Sequence, residues 1–308
     1  MKVFITGASG QIGTNVALAL RERGDDVIGI DRRGNPWTDR FTMRILDLLE
    51  AAPADLKTHP KPDIILHFAA NAKVYELVEH PARAMDNVKM LFPVIEYGRS
   101  AGIPIVFASS REVYGDILRH IVEESAADFV VAESPYSASK IAGEAFIYSY
   151  ARCYGLPYLV FRFSNVYGRY DNDLERLERV VPLFIDRIAR DQPITVYGRE
   201  KMLDFTYVDD CVKGVIAGVD ALVAGRVRGE TINLASGQGG TLCDLVNLIG
   251  LGLQKEPRVT YAATRVGEVT RYIADLTKAR EILDYRPATP LTGGVPLALK
   301  WHQKSRDR

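Results

Sequence analysis

Six short apolar runs, KVFIT (2–6), DVIGI (26–30), MRIL (43–46), DIILHFA (63–69), PIVFASS (104–110) and PYLVFRF (157–163), alternate with helical patterns along the first half of the chain. Runs of this length and composition read as strands, and strands separated by helices pair in parallel through crossovers. Their apolar residues are consecutive rather than alternate, the pattern of strands covered by helices on both faces. A doubly wound α/β fold built on a parallel sheet is therefore expected. After Phe163 the pattern breaks into the charged, loop-rich YGRYDNDLERLER, where a smaller second lobe is expected to begin. DFTYVDDCVKGVIAGVDAL (204–222) regains strand-then-helix character, so the chain is expected to return to the first unit at about 204–224. The expected division is 1–165 and 166–308, and 308 residues suffice for both units.

Between the first strand and the first helix stands TGASGQIG, with Gly7, Gly10 and Gly13 spaced as G-x-x-G-x-x-G. Glycines there permit a tight turn and let a pyrophosphate approach a helix N-terminus, whose free N–H groups and dipole favour anions. A glycine turn that only packs helix on strand would read the same way. Asp31 decides in favour of a dinucleotide: it ends the second strand, where a carboxylate accepts hydrogen bonds from the adenosine ribose. Arg32 and Arg33 could hold a 2′-phosphate, but Asp31 would repel it, so NAD is expected over NADP.

Lys plus Arg equals Asp plus Glu at 39 each, which leaves no basic field for a nucleic acid. Cys153, Cys211 and Cys243 are odd in number and widely spaced, which suggests neither a disulfide framework nor a metal site and fits a reducing cytoplasm. No signal-peptide pattern opens the sequence and no apolar run approaches a membrane span, so a protein without membrane attachment is expected.

SPYSASKIAGEAF (134–146) reads as a helix start, with Ser134 as N-cap and Pro135 at the first helical position. It carries Tyr136 and Lys140 at i and i+4, on one face of that helix. Alone, such a pair is a common surface arrangement.

Together with the glycine loop, YSASK resembles the short-chain dehydrogenase/reductase superfamily. LDL (46–48), HFAA (67–70), DNV (86–88), ASSREVYG (108–115), RFSNVYG (162–168), DFTYVDD (204–210) and RVGEVTRYIAD (265–275) are similar, in order, to its extended branch of nucleotide-sugar epimerases and dehydratases. The resemblance implies a Rossmann domain for NAD over 1–165 and a smaller C-terminal α/β lobe for a UDP-sugar substrate over 166–308. It implies that Gln11 and Ile12 join the glycines at the cofactor, that Asp47 and Leu48 flank the adenine, that Ala69 and Ala70 let the backbone approach, and that Asn87 supports the site. Ser110, Tyr136 and Lys140 match the catalytic trio. Asn165 matches a residue on the substrate phosphate and Arg265 one on the diphosphate, with Val180 and Tyr197 on the same side. Family members also commonly form homodimers through the helix bearing Tyr136 and the one before it. One departure stands out: the family's Arg before DF is Leu203 here, a loss that Lys201 or an arginine of 169–179 could make up.

The resemblance implies that Tyr136 takes a proton from a sugar hydroxyl while the carbon beneath yields hydride to NAD⁺. A nearby ammonium and an oxidised nicotinamide favour the phenolate, and Ser110 would bond the same oxygen. Re-addition of hydride to the other face gives a 4-epimerase. Arg111 stands where 4,6-dehydratases carry an acid, which argues against elimination. Glu112 matches UDP-glucuronate decarboxylases, the competing reading, and a non-catalytic NAD sensor would have no need of the trio. Tyr272 matches a bulky residue that excludes N-acetyl sugars. Arginine suits a carboxylate, so Arg111, Arg169, Arg176 and Arg179 point to UDP-glucuronic acid over UDP-glucose or UDP-galactose. Pairing of the last three with Asp171, Asp173, Glu175 and Glu178 on a solvated face is the competing reading.

Overall fold

The structure, a computed structural model, describes residues 1–115, 132–171, 173–174 and 179–306. Strands β1 (Lys2–Thr6), β2 (Asp26–Asp31), β3 (Thr42–Ile45), β4 (Ile64–His67), β5 (Ile105–Ser110) and β6 (Tyr158–Phe163) follow the six apolar runs to within two residues. Between them run helices α1 (Gln11–Glu22), α2 (Val74–Glu79), α3 (Ala82–Ala101) and α4 (Pro135–Tyr154). The second half contains β7 (Asn165–Tyr167), α5 (Val180–Ala189), β8 (Ile194–Tyr197), β9 (Met202–Tyr207), α6 (Val208–Val223) and β10 (Gly229–Leu234). It ends with β11 (Gly239–Thr241), α7 (Leu242–Leu253), β12 (Val259–Ala262), α8 (Thr277–Leu283) and α9 (Leu291–Arg306).

Seven parallel strands form the large sheet in the order β10-β6-β5-β4-β1-β2-β3. Successive strand residues point to opposite faces, and both faces are apolar: Val3, Ile5, Val106 and Phe161 join one buried cluster with Val16 and Leu20 of α1 and Val215 of α6. Phe4, Ile65, Phe107 and Val160 join the other, with Leu91 of α3 and Ile147 of α4. That double burial is why the strands carry unbroken apolar runs. Strand order reverses between β1 and β4, and the crevice at such a reversal, beyond the carboxyl ends of the strands, is where open α/β sheets bind ligands.

Elements of the second half also join the large sheet and its flanking helices. α6 packs against α1, whereas β9 lies between β7 and β11 in a separate three-stranded sheet. The strand that completes the large sheet is β10, within the segment assigned to the second lobe. Asp204 binds these parts together. Buried, it accepts hydrogen bonds from Ser236 N and Oγ (both 2.7 Å), Gly237 N (2.8 Å) and Ala274 N (3.3 Å). Among the described residues no helix is long and apolar enough to cross a membrane.

Candidate active site

The glycine loop folds as its spacing requires. Gly7 has φ +70°, and a Cβ there would lie 2.6 Å from Ala69 N; at Gly13 it would lie 2.3 Å from Gly7 O. Gly7 lets the loop pack against the Phe68–Ala69 backbone, and Gly13 lets α1 pack against the loop at Gly7 and Ala8. Gly10 differs: it is the N-cap of α1, makes no side-chain cap, and its Cβ direction meets only Gly7 O at 3.3 Å. It faces a cavity of about 720 Å³ along the strand ends.

Gln11, Ile12, Asp31, Arg32, Asp47, Leu48, Ala69 and Ala70 line that cavity. One Asp31 oxygen accepts from Ser9 N at 3.1 Å, which ties the β2 terminus to the loop. Arg33 turns away to Asp173 (3.0 Å) and Ser9 O (3.4 Å), so of the two arginines considered for a 2′-phosphate only Arg32 lines the cavity. An uncapped helix start, a glycine open to the cavity and a carboxylate at the end of β2 fit an adenine dinucleotide with a free ribose hydroxyl. Asn87 does not line the cavity. It accepts from Asn71 N (2.7 Å) and donates to Asn71 O (3.1 Å) and Ser139 Oγ (3.0 Å), holding the loop after Ala70 on α4.

α4 begins with Ser134 as N-cap, accepting from Ser137 N, and Pro135 in its first turn. It presses closely on β5, since a Cβ on Gly143 would lie 2.4 Å from the Phe107 ring. Ser110, Tyr136 and Lys140 thereby meet in the cavity wall, all buried. Lys140 Nζ donates to Ala108 O (2.8 Å) and lies 5.8 Å from the Tyr136 ring centroid. Burial pushes the Tyr136 phenol up to about 12, opposed by a hydrogen bond with Ser110 and by Arg179 and Arg111. Burial brings Lys140 down to about 8, opposed by Glu144. Desolvation is the larger influence at the phenol and outweighs these opposing contributions. His67, behind Lys140, is held neutral by burial, at about 3. It shares a 2.8 Å hydrogen bond with Thr6.

On the substrate side Arg111, Asn165 and Val180 line the cavity. Arg111 Nη2 pairs with Glu112 (2.9 Å) and approaches Asn165 Oδ1 (3.4 Å), while Nη1 is buried without a hydrogen-bond partner. Other expected residues stand elsewhere. Arg169 is exposed and paired with Asp209 at 2.5 Å, because the turn after β7 directs it outward. Tyr272 is buried behind the wall, stacked on Tyr114 (centroids 5.7 Å apart) with Arg111 5.9 Å from its ring. Arg265 lies outside the lining, its guanidinium 3.9 Å from the Tyr197 ring and 4.7 Å from that of Tyr75. Leu203 is buried, and Lys201 is engaged by Glu268 rather than free to replace the missing arginine. Arg176 lies outside the described residues.

Sequence reasoning missed Asp171 as part of the lining and left Arg179 only as one of a charged cluster. Arg179 reaches Gln11 Oε1 (2.5 Å) and Asp171 (3.2 Å), fastening the start of α5 to the glycine loop. Burial lifts the Asp171 carboxyl to about 7, against the pull of Arg179. Tyr75, on α2 beside Arg265, was also missed; no local pattern marks it.

A model of the NAD dependent epimerase/dehydratase family matches residues 3–235. UDP-glucuronate 4-epimerase 1 of Arabidopsis thaliana is 31% identical over 98% of this chain and 76% of its own. The crystal structure of UDP-glucose 4-epimerase from Thermotoga maritima with UDP-glucose superimposes with TM-score 0.89 at 27% identity, over 99% of this chain and all (100%) of that one. The UDP-glucose 4-epimerase of Thermus thermophilus in complex with NAD gives 0.86 at 26% identity, over 98% and 99%.

Proposed function

The chain belongs to the NAD-dependent epimerase/dehydratase family, and we propose that it inverts C4 of a UDP-hexose, with UDP-glucuronic acid favoured over UDP-glucose and UDP-galactose. The trio at the end of β5 and the start of α4 supports the chemistry. Tyr136 takes the proton of the C4 hydroxyl, Ser110 holds the same oxygen, and Lys140 supplies positive charge to the phenolate. NAD, when bound, contributes the hydride acceptor and a second positive charge that favours the phenolate. The need is real, since burial, even against Ser110, Arg179 and Arg111, leaves the phenol at about 12. The close packing of Arg179 on Gln11 suits a cofactor that stays bound through many turnovers.

The preference for an acidic sugar rests on Arg111. A buried charged donor without an acceptor is costly, on the order of 1–3 kcal/mol or more, and Arg111 Nη1 is such a donor in the cavity wall. Glu112 fixes the guanidinium through Nη2 and leaves the Nη1 edge for a second carboxylate. The decisive measurement is kcat/KM for UDP-glucuronic acid, UDP-glucose and UDP-galactose in wild type and Arg111→Gln. The substitution should cost the acidic sugar about 10- to 100-fold, the value of a charge-assisted hydrogen bond, and the neutral sugars much less. A wild type that prefers a neutral sugar refutes the carboxylate assignment, and accumulation of UDP-xylose would make the enzyme a decarboxylase.

A homodimer in the cytoplasm completes the proposal. Met85 and Phe92 on α3 and Phe146 and Tyr154 on α4 are between 44% and 60% exposed on adjacent helices, apolar surface that an isolated chain would leave in water. Three cysteines free of disulfides suit a reducing compartment.

A further inference from the structure

Beneath the reacting side chains lies a buried polar cluster of which Ser109 alone lines the cavity. The pairing of β5 with β6 sets Ser109 opposite Arg162 and Ser110 opposite Phe163. Because successive strand residues point to opposite faces, the Ser109 hydroxyl diverges from that of Ser110, and it donates to Glu144 Oε1 at 2.5 Å. Arg162 grips the same carboxylate with Nε (2.9 Å) and Nη2 (2.7 Å), and Tyr148 OH donates to Oε2 (2.8 Å) while meeting Thr231 Oγ1 (2.8 Å). Tyr136, Lys140, Glu144 and Tyr148 recur every four residues and form one stripe of α4.

Stability alone is a weak reason for such an arrangement, since well-packed apolar residues can replace a buried ion pair at no loss. Its position is the informative part. Glu144 is one turn beyond Lys140 on the helix and bonds the residue adjoining Ser110 on the strand, so it spans the two elements that must meet for catalysis. We propose that Glu144, anchored by Arg162 and Tyr148, is a positioning residue that holds α4 on the end of β5 and keeps Lys140 in its charged form beside Tyr136.

The groups facing Lys140 support this. They are Tyr136, neutral His67, the Phe107 ring with its centroid 5.2 Å away, and Glu144. Among them Glu144 alone supplies negative charge, and it opposes the burial that draws the ammonium down to about 8. Facing Glu144 in turn are Ser109, Arg162 and Tyr148, whose hydroxyl also meets Thr231, and the Tyr158 phenol, which burial, Glu230 and then Glu144 raise.

The inference requires the Tyr136 and Lys140 chemistry proposed above, but not the identity of the sugar. The test removes the charge without leaving a lone buried ion: Glu144→Gln with Arg162→Met, beside Ser109→Ala, which cuts the tie to β5 and leaves the ion pair. Titration of the Tyr136 phenol in NAD-loaded protein is read as tyrosinate absorbance, with Tyr136→Phe as blank. Its midpoint should rise by about one pH unit in the double variant, and the alkaline limb of kcat should move to lower pH. Ser109→Ala should lower kcat about 5- to 10-fold with KM unchanged. An unmoved phenol midpoint in the double variant, with Ser109→Ala at wild-type kcat, overturns the proposal and leaves a structural ion pair. The phenol titration needs no substrate, so a wrong choice of sugar silences turnover while leaving this readout intact.

Discussion

Alanine at Gly13 and alanine at Gly10 should fail in different ways, and the difference can be worked from the backbone. A methyl at Gly13 would meet Gly7 O at 2.3 Å, Ala8 Cα at 2.9 Å and Gly7 C at 3.0 Å, all main chain that cannot step aside. Overpacking of this kind costs about 1–3 kcal/mol, against about 1 kcal/mol regained because alanine favours the helix over glycine. With all three contacts to main chain the cost lies at the upper end of that range, so Gly13→Ala is destabilising by up to about 2 kcal/mol, with or without cofactor. Gly10 has φ −85° and ψ 169°, which alanine adopts freely, and its nearest obstacle is Gly7 O at 3.3 Å. The fold should lose nothing, since the stiffer unfolded chain offsets a slight contact by about 0.4–1 kcal/mol. The new methyl instead occupies the approach of a pyrophosphate to α1, and a tenfold rise in Kd for NAD is about 1.4 kcal/mol. Ligand at 100 times Kd stabilises a protein by about 2.7 kcal/mol, so the same NAD concentration would stabilise Gly10→Ala by only about 1.4 kcal/mol. Thermal melts with and without NAD, backed by calorimetric titration, separate the cases. A full NAD-induced rise in Tm for Gly10→Ala would refute its place at the phosphates, and a wild-type melt for Gly13→Ala would refute the packing argument.

Tyr136→Phe should keep the fold and bound NAD but lower turnover by at least about 100-fold; wild-type turnover would remove Tyr136 from the chemistry. Asp171→Asn should flatten the dependence of stability on pH. In the unfolded chain the carboxyl ionises near 3.8 and in the fold near 7, so the folded state binds more protons between those values. The contribution of Asp171 is full below about 4 and lost as pH rises through 7, on the order of 4 kcal/mol at most. If wild type and variant melts decline in parallel from pH 5 to pH 8, the burial argument is wrong. Phe92→Glu with Phe146→Glu should convert a dimer to a monomer in sedimentation, and a wild type that sediments as a monomer would refute the interface.

Strands buried on both faces announce themselves, because both sets of alternate side chains must be apolar, and β1 to β6 were legible for that reason. β10 was not. Its sequence GETINL opens with polar residues that stand at the edge of the sheet, where Glu230 pairs with Lys278 at 2.8 Å. Only its last three residues are fully buried, too short a run to register as a strand. β9 misled in the opposite direction: DFTY is strand-like and leads into α6, but Asp204 at its centre is the hub that fastens it to the loops after β10 and around Ala274. A buried carboxylate bonded to three backbone N–H groups belongs where several loops converge, which hydropathy alone does not disclose.

The same logic divides the site. The residues proposed for the cofactor could be picked out because each would act through backbone geometry or position at a strand end, properties that a short motif encodes. The residues on the proposed substrate side are placed by contacts between distant segments. Arg179 and Gln11 are 168 positions apart, and Arg265 takes its place from Tyr197 and from Tyr75, which carries no motif of its own. Arg169 and Arg111 looked equivalent as charges, yet one faces solvent beside Asp209 while the other is buried with a donor to spare. The α4 stripe lies between these extremes. Tyr136 and Lys140 are legible as a spaced pair, and the four-residue rhythm runs on through Glu144 and Tyr148, but a glutamate in a helix is ordinarily a solvated one. Only the strand register that sets Arg162 and Ser109 beneath it shows that this carboxylate is buried and shared. Burial without loss of charge requires partners from two further strands, so the role of Glu144 depends on a sheet that had to be assembled before it could be seen.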